Sequence, residues 1–576
     1  MAYDGSSPSQ WSSGWAGRKA DSPEELAMVE RKWLFSCWNH RGAGFAPGSL
    51  CRRRRRDVTQ RSHRFCGRLT GTLAGSKLAA MPTASEELIQ ASPKRCAVLL
   101  FLTFGFLYMM TSSGRVRTVD EYMAFFETES IALHESTAVP QAVQLNYYYG
   151  KYDTHGEPHT PYPPGHPVFA LPFYLFGRYV LEKLPGMPAS GEQMILEAAV
   201  CFSSAVFSAS AVTFLFLICC ALGLDVLPSL ATAAIVGLAT PVFAYSSWFF
   251  SEPLTTALLL AAAYFAFARH LGELIPVSAA AIGGALIGVA IFVRPVHALA
   301  AAVFFGALIL RDRAKALWPA LMLGFLSAIG LAALLLYNFH LYGNALEFGY
   351  PAVAEGGKRL NSFETPILTG LVGFLFSPGK SIFVFAPPLI LALAGLPRLW
   401  RRDRGLAAVA AGALPVYLLF YARYSQWEGG YCVGPRYMAP ALALLCIGLA
   451  PVIAEAKKTT RRAAIVLTAI GAAVQLVSMA TSFMESQVPA GVYYGPNWTY
   501  NMRYSLGSQA RVLLYHLANP APARIGLGFD RWFVFLAKVG VAHATLAAFF
   551  CVMLIGEILS VEGLRRSIRN CKRSTG

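Results

Sequence analysis

The chain has 576 residues, 55% of them hydrophobic and 14% charged, with a formal net charge of +17 and a mean hydropathy of +0.46. Soluble domains carry about 25% charged residues, so a soluble globular chain is excluded. The Lys and Arg residues fall in short clusters between apolar blocks of membrane-spanning length, a pattern of membrane topology rather than of nucleic-acid binding.

Residues 1–95 are rich in Ser, Gly and Arg and include the run Arg52-Arg53-Arg54-Arg55-Arg56. Three readings stand: a basic tail that touches anionic lipid headgroups or nucleic acid, a disordered extension, or a start set too early, with Met81 as the alternative. The first apolar block runs from about Cys96 to Ser112. A long polar segment follows, from Gly114 to Gln193. Within it, Thr118 to Leu133 has the spacing of an amphipathic helix. Val119, Met123, Phe126 and Leu133 share one face, and Asp120 and Glu127, seven apart, share a more polar one. The piece Pro163 to Leu181 is apolar but brief and rich in proline, and reads as an interfacial or re-entrant helix.

Further spans are expected at about 197–221, 226–248, 252–268, 277–294, 297–310, 317–338, 380–398, 405–421, 438–455, 463–484 and 533–558. With the first, that makes about 12 transmembrane helices. Charge orders them. With a cytoplasmic N-terminus, alternation puts Arg269-His270, Arg311/Arg313/Lys315, Arg401-Arg402-Arg404, Lys457-Lys458-Arg461-Arg462 and the tail Arg565-Arg566-Arg569-Lys572-Arg573 inside, as the positive-inside rule requires. A full crossing by 163–181 would flip every later cluster. The same alternation gathers Asp120, Glu252, Arg294, Lys380, Trp427 and Arg436 on the outer side. Ionisable groups at membrane depth are costly and are kept for a task.

Each of these has an ordinary reading beside a functional one. Asp120 and Glu121 are a solvated pair or a general base with its neighbour. Lys151 and Tyr162 lie in aromatic stretches that form an interface belt or a platform under a sugar. Ser251-Glu252-Pro253 opens a span, where a carboxylate caps the helix dipole. Arg294-Pro295 closes one, with a guanidinium that reaches headgroups or grips a carboxylate or phosphate in two-point fashion. Phe376-Ser377-Pro378-Gly379-Lys380 reads as a turn whose amides and ammonium suit an anion. Trp427-Glu428-Gly429-Gly430 and Gly434-Pro435-Arg436-Tyr437 combine glycines, aromatics and a cation. Eleven cysteines show no metal-ligand spacing, and no His/Asp cluster argues for a tight metal site.

Taken in order, these motifs resemble the GT-C superfamily of membrane glycosyltransferases, and among them the bacterial phospholipid-carrier-dependent enzymes related to aminoarabinose transferases and protein O-mannosyltransferases. The resemblance rests on Asp120-Glu121, Tyr162-Pro163-Pro164-Gly165, Ser251-Glu252-Pro253-Leu254, Arg294-Pro295 and the two motifs around Lys380 and Trp427–Tyr437. It spans about Cys96 to Leu559 and has no counterpart for residues 1–95. It implies an all-α polytopic membrane domain over 96–560, with a long first extracytoplasmic loop carrying interfacial helices, and a basic cytoplasmic tail over 561–576. It implies transfer of a sugar, with inversion, from a polyprenyl-phosphate donor to a hydroxyl on a glycan, lipid or protein, at the outer face of the bacterial cytoplasmic membrane. Asp120 is then the general base, with Glu121 the neighbouring candidate. Arg294, Lys380 and Arg436 hold the donor phosphate. Lys151, Tyr162, Glu252, Trp427, Glu428 and Tyr437 contact substrate. No cofactor is called for, although a divalent metal remains compatible. The competing reading is a secondary transporter or flippase for a sugar or lipid, whose charges would line a path near mid-membrane.

Overall fold

A computed structural model describes residues 93–184, 186–351, 362–486, 504–519, 529 and 531–575. The expectation of a basic extension over 1–95 therefore lies almost wholly outside the described residues. The described chain is helical, apart from one two-stranded antiparallel hairpin. Seven helices are long and apolar enough to cross a membrane: Pro93–Thr111, Ala189–Ala221, Pro295–Tyr342, Arg404–Arg423, Arg436–Ala454, Lys458–Ala480 and His543–Arg569. Three shorter apolar helices join them: Val226–Ala239, Val277–Val293 and Ile367–Phe376. The chain is a multi-pass membrane protein.

Numbered in chain order, α1 is Pro93–Thr111, α2 Val119–His134, α3 Pro140–Gln144, β1 Lys151–Tyr152, β2 Pro158–His159, α4 Gly165–Glu182 and α5 Ala189–Ala221. Several expected spans are assembled from pieces rather than drawn as single rods. The 226–248 span is α6 (Val226–Ala239) followed by α7 (Pro241–Tyr245), broken at Thr240-Pro241. The ring of Pro241 removes a helical N–H, and Thr240 caps the new turn. The 252–268 span is α8, Glu252–Ala266. Then come α9 (Val277–Val293), α10 (Ala298–Asp312) and α11 (Leu317–Tyr342). Helices α9 and α11 approach through Gly284, Gly288 and Gly330, where a Cβ would overlap the facing backbone.

Ile367–Phe376 (α12) is an apolar helix inside what reads in sequence as an outer loop. The 380–398 span is α13 (Ile382–Phe385) and α14 (Leu389–Arg402), parted by Pro387-Pro388. Helix α15 is Arg404–Arg423, and the 438–455 span is α16 (Ala439–Leu445) with α17 (Leu449–Ala454).

Two opposite ends of the bundle are defined by side chains. At one, Arg311 at the end of α10 pairs with Asp403 at 3.1 Å. Its guanidinium also reaches the carbonyls of Phe267, His270 and Glu273. Arg402 bonds the Leu222 carbonyl at 3.1 Å and pairs with Glu455 at 3.0 Å. The ends of α5, α8, α10, α14 and α17, and the start of α15, meet there. Helix α8 climbs from that end back to Glu252, 15 residues or roughly 22 Å away at 1.5 Å per residue. Helix α9 ends at Val293, beside Arg294. The residues singled out in sequence thus lie at one end, and the basic clusters at the other.

Candidate active site

The first wall of the site is α2. Thr118-x-x-Glu121 forms a capping box: the Thr118 side chain accepts from the Glu121 amide, and the Glu121 carboxylate accepts from the Thr118 amide. This closes two orphan amides of the first turn and sets where the helix begins. Glu121 is fully buried. Its Oε2 accepts from the amides of Arg117 and Thr118 at 3.2 and 3.0 Å and from the Thr118 hydroxyl at 3.0 Å. Its Oε1 accepts from the Phe249 amide at 3.0 Å. Burial pushes its pKa up, and these N–H donors pull it back. Both oxygens face the interior, which makes Glu121 a cap and a tie to the α7–α8 loop rather than an open carboxylate.

Asp120 turns the other way, with 30% of its side chain exposed. Oδ1 accepts from the Tyr162 hydroxyl at 2.5 Å, and Oδ2 from Arg436 Nη1 at 2.6 Å. The same guanidinium donates through Nε to Glu252 Oε1 at 2.8 Å. Arg294 Nη1 reaches that oxygen too, at 2.5 Å. One buried carboxylate therefore holds two guanidiniums side by side, and the four formal charges cancel. Arg436 lies 4.0 Å over the Phe250 ring, and Arg294 5.3 Å over Tyr437. Both guanidiniums have π faces beneath them, as cations in dry surroundings favour. Among the described residues the Arg294 guanidinium makes that single hydrogen bond, which leaves its Nε and Nη2 open. Tyr437 is stacked on Tyr421 at 4.3 Å, which holds the ring under the arginines.

A cleft of about 360 Å³, counted out to its mouth, has Asp120, Tyr162, His166, Phe250, Arg294 and Arg436 among its walls. Local sequence explains its shape. Glu252 opens α8 with Pro253 behind it, a start that needs no amide partner. Gly165 brings the start of α4 against the end of α9, where a Cβ would meet Phe292 O and the Val293 backbone at 2.9 Å. Gly429 and Gly434 adopt φ of +84° and +63°, values that favour glycine. They curl the loop that presents Arg436.

Other expected contacts fall elsewhere. Lys380 is fully buried and donates to the Cys432 carbonyl at 2.7 Å and its Sγ at 3.2 Å, one layer behind the cleft wall. In the Phe376–Lys380 turn the Ser377 amide is taken by Gly373 O at 3.1 Å. Lys380 N–H donates to Ser377 Oγ at 3.0 Å and Ser381 N–H to Ser377 O at 3.0 Å. Lys151 pairs with Glu347. Trp427 is buried edge-on against Phe374, ring centroids 5.4 Å apart, and Glu428 is buried as well. Neither lines the cleft.

His166 does line it and has no role in the sequence reading. It packs on Phe249 with centroids 4.5 Å apart, and burial pushes its pKa down to about 3, so it is a neutral ring. It directly follows Tyr162-Pro163-Pro164-Gly165, one of the motifs on which the resemblance rests. No group of three or more metal-binding side chains occurs among the described residues.

No protein-family profile and no curated protein matches the sequence. Solved structures do match in fold search. ArnT from Cupriavidus metallidurans in the apo state aligns with 14% identity and a TM-score of 0.42, over 82% of this chain and 76% of that one. ArnT from the same organism bound to undecaprenyl phosphate aligns with 15% identity and a TM-score of 0.42, over 85% and 77%.

Proposed function

We propose that the chain is a membrane glycosyltransferase that moves a sugar from a polyprenyl-phosphate carrier to a hydroxyl acceptor at the extracytoplasmic face. The observation that carries this reading is the run Tyr162–Asp120–Arg436–Glu252–Arg294, in which Tyr162, Asp120, Arg436 and Arg294 line one cleft and Glu252 ties the two arginines together, with the carboxylate of Asp120 part exposed and the free edge of Arg294 beside it. Sugar transfer from a phosphate needs two things close together: a base for the acceptor proton and a cation for the departing phosphate.

Asp120 serves as the base, oriented by Tyr162 on one oxygen and Arg436 on the other. An acceptor hydroxyl gives its proton to Asp120 and attacks the anomeric carbon. The bond from that carbon to the phosphate oxygen breaks, and the configuration inverts. Arg294, through its Nε and Nη2, takes the phosphate as charge grows on it. Glu252 keeps the two guanidiniums at one spacing. Lys380 contributes positive potential from behind the wall rather than a direct contact. The basic end of the bundle, around Arg311 and Arg402, faces the cytoplasm, as do both termini, in a bacterial inner membrane.

The test is transfer from a panel of polyprenyl-phosphate sugars by the full chain in membranes. Release of polyprenyl phosphate together with a glycosylated product supports the reading. Asp120→Asn, inserted and folded, is expected to lose it. Full transfer by that variant sinks the assignment of the base. Sugar uptake into sealed vesicles without any polyprenyl donor supports a transporter instead.

A further inference from the structure

We propose that Glu127 is a positioning residue for Asp120: its proton decides whether the Thr160 hydroxyl holds the Tyr162 peptide, and through it the tyrosine that orients the base. The proposal rests on Asp120 being the base of the reading above.

Asp120 and Glu127 lie two turns apart on one face of α2. Thr160 and Tyr162 are two residues apart in the loop that crosses that face. Each acid holds one of them. Asp120 takes the Tyr162 hydroxyl at 2.5 Å, and Glu127 Oε2 lies 3.0 Å from Thr160 Oγ1. Thr160 Oγ1 is also 3.0 Å from the Tyr162 carbonyl oxygen, and it accepts from the Tyr162 amide at 3.3 Å.

A hydroxyl has one proton and two lone pairs. Here it has three partners, two of them acceptors when Glu127 is ionised. If Glu127 carries a proton on Oε2, every contact is satisfied. The carboxyl and the Tyr162 amide donate to Thr160, and Thr160 donates to the Tyr162 carbonyl. If Glu127 is ionised, Thr160 turns its proton to the carboxylate, and the Tyr162 carbonyl loses its donor.

The surroundings favour the protonated form. Glu127 is fully buried, and its Oε1 has no hydrogen-bond partner among the described residues. Ionising a buried carboxylate with one hydrogen bond and no cation is costly. The titratable groups that its charge reaches are Tyr337 and Tyr342, near the end of α11. The hairpin that delivers Thr160 adds His159 and Asp153, paired with each other at 3.3 Å. Burial pushes Glu127 up to about 8, whereas burial pushes His159 below its ordinary value. The two groups titrate in separate ranges.

The experiment follows the Thr160 γ-methyl carbon by NMR in the full chain in lipid nanodiscs, its signal identified by loss in Thr160→Val. Folding of each variant is checked by its melting profile. The expected result is a shift with a midpoint near pH 8 that vanishes in Glu127→Gln, whose amide donates to Thr160 as the protonated acid does. Thr160→Ser, which keeps the hydroxyl but not the methyl probe, is expected to retain the pH dependence of sugar transfer. Sugar transfer should fall about tenfold from pH 7 to pH 9 in the wild type, as a single titration at that midpoint dictates, and stay level in Glu127→Gln. No shift in the wild type, or a shift that survives Glu127→Gln, overturns the proposal. A shift as expected, with no sugar transfer from any donor at any pH, overturns the glycosyltransferase reading and leaves the Glu127–Thr160 coupling in place.

Discussion

At the scale of single residues, the site turns on one oxygen. Glu252 Oε1 accepts from both Arg294 and Arg436, so removing its charge leaves Arg294 without an anion and Arg436 with Asp120 alone. Breaking a buried ion pair in this way costs about 3–5 kcal/mol. Glu252→Gln is therefore expected to lower the melting temperature in detergent sharply, and a change within error would show the pair to be incidental. Asp120→Asn is expected to melt near the wild type, because the residue is part exposed, and to lose roughly 10²–10⁴-fold in kcat, the usual worth of a general base. Glu121→Gln should show the reverse: a lowered melting temperature through the lost cap, about 1 kcal/mol or more, with little change in the rate of the folded fraction. Glu127 adds a pH dependence. Its folded pKa, about 8, lies above the ordinary 4.5, so between these values the folded chain holds a proton that the unfolded chain has released. Its contribution to stability is full below about 4.5, declines as pH rises to about 8 and is level beyond. The difference between wild type and Glu127→Gln in denaturant titrations across that window measures it.

Elements show where sequence was a sufficient guide and where it was not. The start of α2 was legible from amphipathic spacing, and the structure adds a local cause, the capping box of Thr118 and Glu121, three residues apart. Its burial was not. The amphipathic pattern put Leu133 on the packed face and Glu127 on the polar one, yet Leu133 is 44% exposed and Glu127 fully buried. A helical period cannot show that a loop 30 residues on will fold across the polar face. Trp427 and Lys380 misled for a related reason. Their motifs read as ligand-facing, but α12, an apolar helix within the loop, supplies the Phe374 edge that covers Trp427, and Cys432 takes the ammonium. Close contact between elements makes its own prediction. Gly165 seats α4 against the end of α9, next to Arg294, with no room for a methyl group. Gly165→Ala is expected to push these helix ends apart and to cost about 1–3 kcal/mol by overpacking. Transfer activity should fall by more than the loss of folded protein explains; equal losses would limit the glycine to a packing role.

For the whole molecule, the alternation of charge was the most informative signal, since it rests on the distribution of many residues rather than on any one motif. The structure puts Arg311, Arg402, Asp403 and Glu455 at one end and Asp120, Glu252, Arg294 and Arg436 at the other. Which end faces the cytoplasm can be read by labelling. In a cysteine-free background, a cysteine at exposed His155 is expected to react with an impermeant maleimide on intact cells, and one at exposed Lys315 only after permeabilisation. The opposite pattern inverts the protein. The separation of the site's members along the chain has a consequence for biogenesis. Asp120 and Arg436 are 316 positions apart. At about 5–20 residues per second, roughly 15–60 seconds pass between the synthesis of one and the other. For that time Asp120 is without its cation, and Glu252, once Arg294 has been made, has one arginine instead of two. A chain cut short before residue 436 has no finished cluster, however much of the bundle it has already inserted, so about three quarters of the 576 residues must be made before the cluster can close.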